Sequence, residues 1–387
     1  MRIFLCIFLT LALLPSLHAD TRFLTVSDIH YGDDNVAGEG HDTDGALLSL
    51  TFHTFKQLVK KVDFVLTLGD FPSHMLINSP KKEAYIKTVF HGLYKADINN
   101  KPMFYITGNN DSLAGNYQPF SSKGRTPLTL ATDWQGACVH CEGLLVDGNP
   151  MRTEGYYSSY VMPNNKNILL IALNSIQFTN LPFYRPQYPH QNQDAFQQLD
   201  WLEKQLKKHH AKQLIIAMHV PPGIDYQGNS LWKNDYLNRF IKILNITHHQ
   251  YGEINLLSSH THMDDVRKIT LANGFNVYAY ATPSISPVHY THPAMKIFKL
   301  NDEVKLKDST TYYTSNYKTW ENKHYHAIQG TQSIFPQCHQ KTLHACLESM
   351  SLASLCHNYS KGAFYGVKNL HIDGSACTKT YLVNPRR

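Results

Sequence analysis

Six short apolar runs, each closing on polar residues, set the pattern of this chain. They are "FLTVSDIH" (23–30), "VDFVLTLGD" (62–70), "MFYITGNND" (103–111), "ILLIALNS" (168–175), "LIIAMHVPPG" (214–223) and "INLLSSHTH" (254–262). Runs this rich in Val, Ile, Leu and Phe predict strands buried on both faces rather than strands with one wet face. Between them, "DGALLSLTFHTFKQLVKKV" (44–62) and "DAFQQLDWLEKQLKKHH" (194–210) repeat apolar residues at three- and four-residue spacing, as helices with one core-facing stripe do. Strands alternating with helices predict an α/β architecture in which helices cover the sheet. "NVYAYATPSIS" (276–286) and "AMKIFKL" (294–300) read as closing strands.

After about residue 305 the pattern weakens. "DSTTYYTSNYKTWENKHYHAIQG" is polar and aromatic without a strong period, and "KTLHACLESMSLASLC" is helix-like and carries cysteines. The opening, "MRIFLCIFLTLALLPSLHAD", has one basic residue and then an apolar run ending in Leu17-His18-Ala19, the layout of a secretory signal peptide cut after Ala19. Its apolar run is shorter than the roughly 20 residues that span a bilayer. The expected division is therefore a signal peptide (1–19), a catalytic domain (20–305) and a small cysteine-containing, partly helical C-terminal subdomain (306–387). The mature chain is expected to be secreted, periplasmic or lumenal, with no transmembrane segment.

Cysteine use agrees with export. Without Cys6 of the leader, Cys138, Cys141, Cys338, Cys346, Cys356 and Cys377 remain, an even set that suggests disulfides in an oxidising compartment. "CVHC" (138–141) has no second Cys-x-x-Cys to complete a zinc site and reads as a local disulfide; the last four cysteines permit three pairings. "NIT" (245–247) and "NYS" (358–360) offer Asn245 and Asn358 as glycosylation sites if the host glycosylates. The net charge of +6 is scattered, so no specific nucleic-acid surface is expected.

The chemistry sits where the apolar runs end. Asp28 and His30 close "SDIH", Asp70 closes "LGD", Asn109 and Asn110 stand in "GNND", His219 in "MHVPP", and His260 and His262 in "SHTHMD". Each pair alone is common; the ordered series is specific. It resembles the calcineurin-like metallophosphoesterases over roughly residues 22–300, and among them the acid sphingomyelinase-like phosphodiesterases. "GDFPSH", "HVPPG", "SHTHMD" and "PSISPVHYTHPAMKIFKL" carry that closer likeness, with Ser259 where the group has Gly and His292-Pro293-Ala294 where Asn-Pro-Gly is usual.

The resemblance implies two packed mixed sheets flanked by helices, with loops at one sheet edge holding two divalent metal ions. Asp28, His30 and His262 would hold the first, and Asn109, His219 and His260 the second, with Asp70 bridging both. Imidazoles and carboxylates suit zinc and its neighbours. Ser73 stands where purple acid phosphatases have a metal-binding Tyr, which favours a redox-inert, zinc-like pair.

The expected function is that of an exported two-metal phosphodiesterase acting by metal-activated hydroxide attack. Its partners would be small phosphodiester or pyrophosphate substrates: nucleotides, choline-containing nucleotides or sphingomyelin-like compounds. No saposin domain fits between the leader and the first strand, which tilts the expectation toward soluble substrates. The family turn is Gly-Asn-His-Asp or Gly-Asn-His-Glu, and Asn110 stands in place of its His, which helps the leaving group depart. An amide cannot donate a proton as an imidazolium does, although it can hydrogen-bond a phosphoryl oxygen. His74, matching the His of Gly-Asp-x-Pro-x-His, becomes the candidate acid. Losing one general acid costs about 10²–10⁴-fold in rate. The alternatives are a catalytically reduced metal protein that binds a nucleotide or a host surface, and a phosphomonoesterase.

Overall fold

The computed structural model of the protein describes residues 20–32, 38–74, 80–181, 188–316, 340–358 and 374–384. The expected leader lies outside them.

The first half of the fold is built from β1 (Arg22–Val26), α1 (Gly45–Leu58), β2 (Phe64–Thr67), α2 (Pro80–Ala96), β3 (Met103–Tyr105) and β4 (Cys138–Val139). β5 (Leu145–Asp147), β6 (Tyr157–Met162), β7 (Asn165–Ala172), α3 (Gln191–Lys208), β8 (Ala211–Ala217), α4 (Asn234–Thr247) and β9 (Tyr251–Ser258) follow. β10 (Val266–Thr270), β11 (Asn276–Ala281), β12 (Ala294–Leu300) and β13 (Leu306–Tyr313) complete two sheets. One has the order β13-β12-β1-β2-β3-β4, the other β10-β11-β9-β8-β7-β6-β5. Each is mixed: β1, β2 and β3 run parallel, as do β7, β8, β9 and β11, and the edges are antiparallel. The expected architecture is the observed one.

The uninterrupted apolar runs have a physical cause. In β7, Ile168, Leu170 and Ala172 join the core cluster that also holds Phe23, Val65 and Phe104 of the other sheet. Leu169 and Ile171 of the same strand join a second cluster with Leu199 and Leu202 of α3 and Phe240 of α4. Successive side chains on a strand point to opposite faces, so a strand between a sheet and a helix layer must be apolar throughout. α1 starts where Asp44 caps it, its carboxylate accepting from Leu47 N at 2.8 Å.

The strands stop short of the polar residues that end each run. β1 ends at Val26, β2 at Thr67 and β9 at Ser258, so Asp28, His30, Asp70, His260 and His262 lie in loops. β13 was not legible as a strand. Its polar "LKDSTTYY" buries only Leu306, Ser309 and Thr311, because an edge strand has one neighbour and one covered face.

Cys138 is bonded to Cys141, as expected, and Cys356 to Cys377. Cys346 is also disulfide-bonded, and Cys338 lies outside the described residues. Helices Leu343–Glu348, Leu352–Asn358 and Gly374–Tyr381 contribute Leu343, Leu355 and Tyr381 to the inter-sheet core. Asn245 belongs to α4 and accepts from Ala272 N at 2.7 Å; the Asn358 side chain is outside the described set. No described helix is long and apolar enough to cross a membrane.

One buried ion pair ties the last strands to the loop after β9. Lys296 Nζ of β12 lies 2.5 Å from Asp264 Oδ1, and Thr311 Oγ1 of β13 donates to Asp264 Oδ2 at 2.6 Å. Removing one partner of such a pair strands the other charge in the interior, at a cost of about 3–5 kcal/mol. Lys296→Met should lower the unfolding free energy by about that amount in urea titration. A loss below about 1 kcal/mol would mean that the carboxylate is reached by solvent.

Candidate metal centre

The parallel strands of both sheets deliver their following loops to one place. Asp28 and His30 follow β1, Asp70 follows β2, Asn109 and Asn110 follow β3, His219 follows β8, and His260 and His262 follow β9. Asp28, His30, Asp70, His260 and His262 have φ values of 47°, 45°, 58°, 69° and 62°. L-residues visit this left-handed region at a cost, and a concentration of them marks a site held by its surroundings. Loop-to-loop bonds hold them: Asp28 N donates to Gly69 O (3.0 Å), His30 N to Asp70 O (3.0 Å), and Ser259 N to His219 O (2.9 Å).

The side chains converge without pairing well. His219 Nε2 is 3.2 Å from Asp70 Oδ2, His30 Nε2 is 3.5 Å from it, and His262 Nε2 is 3.4 Å from Asp28 Oδ1. Asp28 Oδ1, His30 Nε2, Asn109 Oδ1 and His219 Nε2 are buried and have no hydrogen-bond partner. Their other atoms are tied. His30 Nδ1 donates to Pro72 O (3.1 Å), His219 Nδ1 to Leu68 O (2.7 Å), and Asn109 Nδ2 to Asn116 Oδ1 (2.8 Å). An imidazole so tied keeps its Nε2 lone pair for a ligand. Buried polar atoms are normally satisfied, so four orphans on oxygen and nitrogen donors facing one another fit divalent cations. Asp70 belongs to both a group with Asp28 and His30 and a group with His219 and His260.

A cavity of about 330 Å³ opens over the cluster, lined by Asp70, Asn109, His260 and His262 together with His74, Asn116, Tyr117, Tyr226 and His289. Residues 21–264 match the family described as calcineurin-like phosphoesterase. The chain belongs to that family.

Relatives of this phosphoesterase agree. It is 26% identical over 291 residues to sphingomyelinase phosphodiesterase D of Dictyostelium discoideum, covering 72% of this chain and 62% of the relative. It is 26% identical over 276 residues to sphingomyelin phosphodiesterase 1 of Caenorhabditis elegans, covering 68% and 46%. It is 23% identical over 289 residues to acid sphingomyelinase-like phosphodiesterase 3b of Mus musculus, covering 70% and 61%. The chain thus spans from 46% to 62% of the length of these relatives.

Behind the ligand atoms, the phosphoesterase has a second layer that sequence reasoning missed. Asp111 accepts from Gly108 N (2.7 Å), Asp70 N (3.0 Å), Phe71 N (2.8 Å) and Tyr105 Oη (2.9 Å), which locks the turns after β2 and β3 together. Gly108 is required there, because a Cβ would collide with the Asp70 carboxylate. Asp42, in a loop with no apolar run before it, accepts from Ser73 Oγ (2.7 Å) and His74 N (2.8 Å) and lies 2.9 Å from His74 Nδ1. The Asp-Thr-Asp before α1 was the only trace of it in the sequence.

Asn110 is turned toward Asp70 rather than the cavity. Its backbone N–H donates to Asp70 Oδ1 (2.7 Å) and its Nδ2 to Asp70 Oδ2 (2.8 Å). The amide orients the carboxylate shared by the two groups. Asn110→Leu should therefore weaken metal uptake by about 10–100-fold, the usual effect of removing such a partner. Equilibrium dialysis against Zn²⁺ tests this; unchanged affinity would mean that the backbone N–H alone aims Asp70.

The charges balance without a cation only by binding protons. Burial disfavours charge on His30, yet the carboxylates of Asp28, Asp70 and Asp42 outweigh it and raise the imidazole to about 9. His219 behaves alike: burial opposes its charge, Asp70 and Asp28 prevail, and it too rises to about 9. Burial, then the neighbouring His219, lowers His260 to about 3, and burial with His30 keeps His262 neutral. Entering cations must displace the protons on His30 and His219. Metal affinity should thus fall as pH drops below about 9, and loading at pH 7 should release protons. Calorimetry in buffers of different ionisation enthalpy measures that release; none at pH 7 would contradict this charge state.

Proposed function

We infer that the protein is an exported phosphodiesterase that uses two divalent cations, zinc by preference, to hydrolyse small phosphodiester or pyrophosphate substrates. The observation that carries the reading is Asp70, a member of two donor groups that hold orphaned buried atoms and itself part of the lining of the cavity above them. Asp28, His30 and His262 would hold one cation, Asn109, His219 and His260 the other, and Asp70 both. When bound, such a pair activates water at neutral pH and neutralises phosphoryl charge. The all-nitrogen and oxygen donor set supports a zinc-like ion. The disulfides support an oxidising compartment and hence export.

The chain's own residues supply the rest. His74 is about a third exposed, and its Nδ1 is held by Asp42, so Nε2 is the atom free to carry a proton to a leaving oxygen. The acid that Asn110 cannot be is therefore assigned to His74. Tyr117, whose hydroxyl lies 3.4 Å from His260 Nε2, and Tyr226 give the cavity aromatic surface against which a base or headgroup can rest. The relatives named for sphingomyelin make sphingomyelin-like diesters candidates beside nucleotides and choline-containing nucleotides.

A screen of zinc-loaded protein against nucleotides, CDP-choline and sphingomyelin tests the reading. Metal uptake without turnover of any phosphoric ester would instead favour a binding protein. His74→Ala should lower kcat by about 10²–10⁴-fold on diesters with poor leaving groups and nearly spare activated aryl esters. At saturating Zn²⁺ it should retain the full metal content. Equal losses on both substrate types would remove His74 from proton donation.

A further inference from the structure

Three imidazoles around this centre are built alike. His30 and His219 each tie Nδ1 to a backbone carbonyl, and His74 ties its Nδ1 to Asp42 Oδ1 at 2.9 Å. A carboxylate behind an imidazole is the common outer partner of a metal-bound histidine, fixing its tautomer and making it a better donor. Asp42 is itself firmly placed. It is 4% exposed, and Ser286 Oγ donates to its Oδ1 at 3.0 Å while Ser73 Oγ and His74 N hold Oδ2. That is more anchoring than a loop histidine at a cavity rim requires.

The position of His74 agrees. Its ring stacks on that of His30, with centroids 3.7 Å apart and planes at 18°. One ligand atom each from His30, His74 and His262 lie within 4.8 Å of one another, a spacing that would let all three hold a single cation. Unlike His30 and His262, which are 0% and 2% exposed, the His74 side chain is 32% exposed, so it alone can swing away about its Asp42 anchor.

We propose that His74 is a labile ligand of the first cation seat, adding a third imidazole to His30 and His262 beside Asp28 and Asp70 in the resting protein and leaving when substrate enters the cavity. The proposal rests on the metal-centre reading above and adds a ligand to it. The step would be a ligand exchange: the bond from the cation to Nε2 would break as a phosphoryl oxygen of the substrate takes its place, with no covalent bond of the protein changed.

Cobalt(II) is the probe. Equilibrium dialysis and visible absorption would be measured on the full chain for wild type, His74→Ala and Asp42→Asn, with circular dichroism to establish folding. The expected result is that both variants fill both seats at high Co²⁺ but hold the first about 10–100-fold more weakly. The wild-type absorption should lose intensity in His74→Ala, and inorganic phosphate added to wild type should shift it the same way. If His74→Ala does not fold, the phosphate shift and Asp42→Asn decide the matter. Wild type and His74→Ala with equal affinities and superimposable spectra would overturn the proposal while leaving the metal centre intact. Wild type that takes up no Co²⁺ would overturn the metal-centre reading, and the proposal with it.

Discussion

Three carboxylates, Asp28, Asp70 and Asp111, are buried at the meeting of two sheets, with only Asp70 bordering the cavity. Isolated buried carboxylates are costly, and such groups persist only when paired, hydrogen-bonded or bound to metal. The surrounding structure meets that constraint in stages. Asp111 is satisfied by three backbone N–H groups and a phenol, and becomes a structural brace. Asp70 receives two bonds from Asn110, and Asp28 receives one from His260 N on Oδ2 but none on Oδ1. What remains unsatisfied faces imidazole nitrogens that are themselves unsatisfied. Protonated His30 and His219 are one answer to that charge, and divalent cations are the other.

The folding of the chain makes the concentration of charge possible. Parallel strands send their C-terminal ends the same way, and pairing two mixed sheets face to face brings two such sets of ends together. β1 and β2 supply carboxylates and β8 and β9 supply imidazoles, from opposite sides of one core. Lys296 and Asp264 then fasten β12 to the loop that carries His260 and His262. The left-handed backbone at five of these residues is tolerated because each loop is bonded to the next.

The substitution at Asn110 changes what the turn after β3 does. An amide there is short enough to fold back on Asp70, which turns a position facing the substrate in the family pattern into a brace for the shared carboxylate. On the proposed reading proton donation falls to His74, which pairs with Asp42 from another loop at the site. The divided labour has a simple electrostatic basis. Asp42 holds His74 by a short polar contact, and its own carboxyl is held well below the usual range: burial opposes this, but His74 and His30 outweigh it.

The apolar runs by themselves determined the α/β class and the approximate place of β1, β2, β3, β7, β8 and β9, since burial on both faces leaves an unbroken hydrophobic signal. Asp28, His30, Asp70, Asn109, His219, His260 and His262 stood out for a related reason, each lying where a buried run ends, while their role as metal ligands was implied by the family resemblance. Other features depended on contacts between segments distant along the chain. Asp42 has no local mark beyond the Asp-Thr-Asp before α1, because its contacts are to His74 and Ser286, 32 and 244 residues away. β13 was hidden because an edge strand can be polar, and the Cys356–Cys377 pairing because four cysteines permit three connectivities among which the sequence cannot choose. The direction of the Asn110 amide was beyond reach too, since one rotamer decides whether it meets a substrate or Asp70. Local composition encodes which residues must be buried; only the tertiary structure decides which buried polar groups meet, because each meeting is a long-range contact.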